Sequence, residues 1–240
     1  MDRTDGRTCN LLLDSLPHVE RAPLLSEGTR QPIEARHVYL DPGDEVDRVL
    51  FPVSGALSIL AEPGDDGRRV EAATVGREGV ANIHAALGSR VAGQQLIGQV
   101  AGEAIAIDAR IFAKFVAEGD RLRSLVSGYI EAVFAQTALS AACNALHHLH
   151  ERCARWLLVT HDRVESDSFD LTHELLAAML GVTRPSVSVA AKTLQAAGLI
   201  TYRRGSVTVL DREGLEDAAC PCYEQIRSEY SRLVPLGNGA

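Results

Sequence analysis

Between Leu175 and Leu210 the chain carries no Asp or Glu, and the charged residues left in that window are Arg184, Lys192, Arg203 and Arg204. Clustered cations without carboxylates neutralise phosphates, so this stretch suits double-stranded nucleic acid. The formal charge of the whole chain, −8, points the other way, but a polyanion meets the local field rather than the sum. Two further groups have reactive side chains. Cys143, His147 and His150 follow one another at about one and two helical turns, a spacing for metal ligands, a pH-sensitive hinge or residues that only pack. Cys220 and Cys222 flank Pro221, as a redox pair or as two ordinary thiols. The sequence alone assigns neither group a metal or cofactor.

The cations need a scaffold, and Leu171–Leu194 supplies one. Thr172 can cap a short helix, followed by His173, with Leu175, Leu176 and Met179 on its inner face and Gly181 ending it in a tight turn. Thr183 then caps a second helix, where Pro185 is tolerated because first-turn amides have no intrahelical acceptor. Val187, Ala190, Ala191, Leu194 and Ala197 form its core-facing stripe. The opposite face carries Arg184, Pro185, Ser188, Val189 and Lys192, short side chains around two cations. Such a face can approach base edges in a major groove. Gly198–Leu210 reads as a hairpin with Arg203 and Arg204 at its tip, a wing placed to touch phosphates. This is the pattern of a winged helix-turn-helix.

Ahead of it lie two other patterns. From about Ile33 to Ile107, short apolar runs alternate with turn signals: Val38–Leu40, the Asp41–Asp44 turn, Val49–Leu60, the turn Pro63–Gly67, Val70–Val75 and Gln94–Ile107. They predict an antiparallel β-domain. Between Asp120 and His148 turn residues nearly vanish, and Leu122, Leu125, Tyr129, Ala132, Gln136, Leu139, Cys143 and Leu146 recur at threes and fours. This a/d stripe predicts one long helix, either lying on its own domain or pairing with a second copy; its length and narrowness favour pairing. The division is residues 1–119, a sensor domain; 120–148, the dimerisation helix and hinge; and 149–240, the DNA-binding domain.

In this order, the chain resembles Crp/Fnr-family transcription regulators. The likeness covers nearly its whole length and is specific in the C-terminal third. It implies an α+β chain with an N-terminal antiparallel β-roll of the cyclic-nucleotide-binding type, a dimerisation helix and a C-terminal winged helix-turn-helix. It further implies a homodimer on a roughly palindromic operator, touching RNA polymerase if it activates. Arg184 matches the family's first base-reading arginine; Thr172, Thr183 and Ser186 match hydroxyl residues that contact phosphates. Pro185 and Val189 stand where cyclic-AMP-responsive members have a Glu and a second Arg, so the operator sequence does not carry over. The phosphate cassette of those members holds a Gly-Glu and an Arg-Ser pair. The stretch Gly76–Leu96 has neither, with Arg77 and Arg90 as the only substitutes, so the effector is expected not to be cyclic AMP.

Competing functions find less support. A cupin-like metalloenzyme needs two close histidines and a carboxylate on barrel strands, whereas His37 and His84 lie far apart. An oxygen-sensing iron–sulfur cluster needs four thiolates, and the N-terminal region has only Cys9. A nucleotide-regulated module whose C-terminal helices bind protein is the remaining alternative. No catalysis is expected. The polar start Met1–Gly6 leads into no long apolar run, and five scattered cysteines suit a reducing compartment, so a cytoplasmic protein without a membrane partner or structural disulfide is expected.

Overall fold

The computed structural model describes residues 7–62, 64 and 67–234. The polar N-terminal stretch and most of the Pro63–Gly67 turn lie outside the described residues. Two short helices, α1 (Leu11–Asp14) and α2 (His18–Ser26), open the chain. Strands β1 (Thr29–Ile33), β2 (Val38–Leu40), β3 (Arg48–Ala61), β4 (Val70–Val75) and β5 (Gln95–Asp108) form one sheet in the order β1-β5-β3-β4, with β2 also on β5. β1 and β2 both pair with β5 antiparallel, Thr29 opposite Ala106 and Val38 opposite Ile97. Helix α3 (Ala109–Glu118) follows, its N-terminus held by the Asp108 carboxylate, which accepts from the amides of Arg110 and Ile111. The rest is helix α4 (Asp120–Leu146), α5 (Leu149–His161), strand β6 (Ser168–Asp170), helices α6 (His173–Leu180) and α7 (Arg184–Ala196), strands β7 (Ile200–Arg203) and β8 (Ser206–Val209), and helices α8 (Arg212–Asp217) and α9 (Cys222–Leu233). No helix among the described residues is long and apolar enough to cross a membrane.

The chain forms two compact units, one within Met1–Leu57, Val75–Ala132 and Tyr230–Ala240, the other comprising Ser58–Thr74 and Val133–Glu229. In the first unit, Phe51, Leu57, Ile107 and Phe112 are wholly buried, and the rings of Phe51 and Phe112 meet edge to face at 5.6 Å. In the second, Trp156 of α5 donates from Nε1 to Glu71 of β4 at 2.9 Å. Ser58 and Thr74 donate to the same carboxylate at 2.5 and 2.9 Å, and burial pushes its pKa up.

The predicted long helix is present. Leu122, Leu125, Tyr129, Ala132, Gln136 and Cys143 are at most 2% exposed within the single chain, Leu139 is half-buried, and of the stripe only Leu146 is open. Side chains already covered within the chain leave little area to bury against a second copy. The cover includes α9, which the sequence reading left without a role. Tyr230 sits 6.1 Å from the Tyr129 ring, and a Cβ on Gly128 would stand 2.0 Å from the Leu233 carbonyl oxygen. The face of α4 that remains exposed carries Phe134, 73% open, with Ala138, Ala141, Ala142 and Ala145.

Candidate nucleic-acid interface

Helix α6 starts where predicted. The Thr172 hydroxyl accepts from the Leu175 amide at 3.1 Å, and Gly181 ends the helix at φ +65°, a left-handed turn that glycine adopts without a Cβ penalty. Leu176, Ala177, Met179 and Leu180 are buried beneath it. Helix α7 then runs from Arg184 with Pro185 in its first turn. Val187, Ala190, Ala191 and Leu194 face the core as expected; Ala197, placed with them, lies past the helix end and is exposed.

The outer face of α7 presents Arg184, Pro185, Val189 and Lys192, all exposed, with Val189 66% open. Val189 puts an apolar surface between the two cations. Thr183 Oγ and Ser186 Oγ are 2.9 Å apart at the helix start, where free amides also point outward. The wing is a three-stranded sheet, β6-β8-β7. Its tip is a two-residue turn between paired Arg203 and Ser206, with Arg204 at φ +50° and Gly205 at φ +83°. Positive φ at both central residues is the hairpin turn that matches strand twist. Arg203 and Arg204 are both exposed there. Strand β6, three residues long, has too little alternation to register in the sequence.

Three of the expected contact residues also engage neighbours within the chain. His173 is half-buried. Its Nδ1 lies 2.9 Å from Ser188 Oγ, its Nε2 is buried, and its ring meets Tyr202 edge-on at 4.4 Å. Burial, and secondarily the Arg184 charge, lowers its pKa, and its ring packs among α6, α7 and the wing. Ser188 donates to the Arg184 carbonyl at 3.1 Å while engaging His173, so its hydroxyl is used internally. Thr172 likewise spends its oxygen on the cap. Sequence reasoning missed Glu174, whose carboxylate pairs with Arg184. It stands one residue before the acid-free window and ten before its partner, a separation with no helical or strand signature.

Potential ligands converge at one further place. Cys143, His147, Cys220 and Cys222 lie together, whereas His150, grouped with the first two by spacing, is exposed and stacks on His148 at 6.0 Å. The helix breaks between α4 and α5 and turns His150 away. All five cysteines are free thiols. A hydrogen bond with Cys220, helped by the Arg155 charge, lowers the Cys143 pKa to about 4. In the β-domain, Arg90 is engaged by Glu45 at 2.8 Å and Asp47 at 3.8 Å.

Residues 151–218 match the Crp-like helix-turn-helix domain. The chain carries that domain on the Crp/Fnr regulator fold. FixK2 from Bradyrhizobium japonicum superimposes with a TM-score of 0.68 at 15% identity, over 80% of this chain and 98% of that one. The c-di-GMP-responsive global regulator CLP of Xanthomonas campestris gives 0.62 at 20% identity, over 80% and 99%. A CRP-family transcriptional regulator from Thermus thermophilus, TTHB099, gives 0.65 at 19% identity, over 79% and 96%. No curated protein sequence matches. The α+β Crp/Fnr architecture expected from the sequence is thus present, and so is its helix-turn-helix.

Proposed function

We propose that the protein is a sequence-specific transcription regulator that binds double-stranded DNA as a homodimer on a roughly palindromic operator. The observation that carries this reading is the outer face of α7, where Arg184, Pro185, Val189 and Lys192 project, with Glu174 of α6 paired to Arg184. Arg184 opens the helix, where a guanidinium reaches O6 and N7 of guanine. Lys192, the exposed wing arginines and the hydroxyls of Thr183 and Ser186 suit phosphates, which fix register and carry no sequence information. Pairing would use the exposed Phe134 side of α4, and two-fold symmetry sets two half-sites about one helical turn apart. RNA polymerase becomes a partner if the protein activates.

The test is selection of bound duplexes from a random pool by the full chain, followed by titration of the enriched site at several salt concentrations. An inverted repeat bound at least ~1000-fold more tightly than random duplex is the expected result. Enrichment of no sequence, with uniform weak binding, would favour a protein-binding role for the C-terminal helices.

A further inference from the structure

Cys143 and His147 stand one turn apart at the end of α4; Cys220 precedes α9 and Cys222 opens it. All four lie in the same compact unit. Their three sulfurs and the imidazole nitrogen fall within 4.8 Å of one another. Cys143 Sγ is 3.4 Å from Cys220 Sγ, and Cys222 Sγ is 3.6 Å from His147 Nδ1. The three cysteines are buried and the histidine is half-buried.

We propose that Cys143, His147, Cys220 and Cys222 form a closed four-ligand site for a single zinc ion. Tetrahedral zinc with bonds of about 2.3 Å to sulfur and about 2.0 Å to nitrogen places neighbouring sulfurs about 3.8 Å apart and sulfur about 3.5 Å from nitrogen. The Cys143–Cys220 and Cys222–His147 separations, 3.4 and 3.6 Å, are near these values, and the remaining pairs lie within 4.8 Å. Thiolate and imidazole donors suit zinc rather than the hard, oxygen-seeking cations. Four protein ligands leave no open position, which makes the site structural rather than catalytic. Convergence of all four donors on one point also fits one ion better than a cluster, whose irons hold their thiolates apart.

The charge balance supports the assignment. Zinc with three thiolates and a neutral imidazole leaves one net negative charge, and the thiol protons go to solvent on binding. Arg152 and Arg155 of α5 are buried at 8% and 6% exposure, each with an Nε that has no hydrogen-bond partner. Buried guanidinium groups are costly without a nearby negative charge. A Cys143–Cys220 disulfide, the competing use of the short sulfur contact, would require an oxidant and leave Cys222 and His147 without a role. Arg152 also donates to Asn144 Oδ1 at 2.7 Å and to the Leu180 carbonyl at 2.5 Å, at the last residue of α6. The site therefore stands one side chain away from the helix-turn-helix.

The experiment is elemental analysis of the purified full chain, followed by removal of metal with a chelator and titration with cobalt(II). One zinc per chain is expected, and cobalt should give thiolate charge-transfer bands with the intense visible bands of tetrahedral coordination. Cys222→Ser and His147→Ala should each weaken zinc retention against a competing chelator by more than the ~10–100-fold that loss of an outer-shell partner causes, while His150→Ala leaves it unchanged. The cobalt spectrum of the unmutated chain does not depend on the variants folding. Absence of both zinc and a cobalt spectrum would overturn the proposal. So would unchanged retention in Cys222→Ser and His147→Ala, or a Cys143–Cys220 disulfide that persists in reduced, zinc-supplemented protein.

Discussion

Arg184 of the recognition helix is ion-paired with Glu174 of the preceding helix, Nε against Oε1. Both side chains are nearly two-thirds exposed, at 63% and 64%. The cation proposed to read bases is thus paired with a carboxylate from just outside the acid-free window, a partner that bound DNA would have to share or displace. An exposed pair of this kind is worth about 0–1 kcal/mol, so the tether is weak.

Glu174→Gln is expected to tighten binding to all duplexes up to ~5-fold, since at most about 1 kcal/mol of pairing is released and one charge repelling phosphate disappears. Arg184→Ala is expected to cost the specific site about 1–3 kcal/mol relative to random DNA. Anisotropy titrations against the operator and its point variants check both. A uniform loss in Arg184→Ala, with base preference intact, would make Arg184 a phosphate anchor.

The two faces of α4 should respond differently. Leu125, wholly covered by its own chain, should on truncation to Ala lose about 2–5 kcal/mol of stability without changing the solution mass. Phe134→Glu, on the exposed face, should leave the melting temperature nearly unchanged and shift sedimentation from dimer to monomer. A dimer in Phe134→Glu would move the interface off this helix face.

Glu71 gives a pH dependence. Burial raises its pKa in the folded chain above the unfolded value. Its contribution to stability is therefore fully present below the unfolded pKa of about 4.3 and is lost as pH rises through the folded one. Glu71→Gln keeps an acceptor for Trp156 and Thr74 and removes the charge. The variant should match the parent near pH 4 and melt higher at neutral pH, as followed by calorimetry. A variant less stable at pH 7 would mean that the carboxylate's three donors outweigh its desolvation.

Operator binding should not require cyclic AMP. Arg90, one of two arginines available to meet a cyclic phosphate, is already held by Glu45 and Asp47, and the stretch Gly76–Leu96 has neither an Arg-Ser nor a Gly-Glu pair. Operator affinity measured with and without micromolar cyclic AMP should agree within about twofold, since a functional coupling would be about 5–150-fold.

What could be read beforehand followed from local rules. The Thr172 cap, the Gly181 turn, the α7 core stripe and the Arg204–Gly205 wing tip each depend on residues within a few positions of one another, and all appear where their chemistry puts them. The α4 stripe was legible as a helix, but its partner was not. Period alone says that a face is covered, and here the cover includes Tyr230 and Leu233, some hundred residues away. Spacing grouped His150 with Cys143 for the same reason, and left Cys220 outside a cluster that it joins across 77 residues. Contacts of that sequence separation leave no periodic trace.

The chain passes between its two compact units after Leu57, after Thr74, after Ala132 and after Glu229. No single proteolytic cut can therefore liberate either unit, and neither can be expressed as one continuous fragment. A fragment beginning at Leu149 would contain the whole helix-turn-helix and wing, yet lack Glu71, the acceptor of the Trp156 indole, and both Cys143 and His147. Dissection experiments that treat the C-terminal third as an autonomous DNA-binding piece would therefore remove these partners.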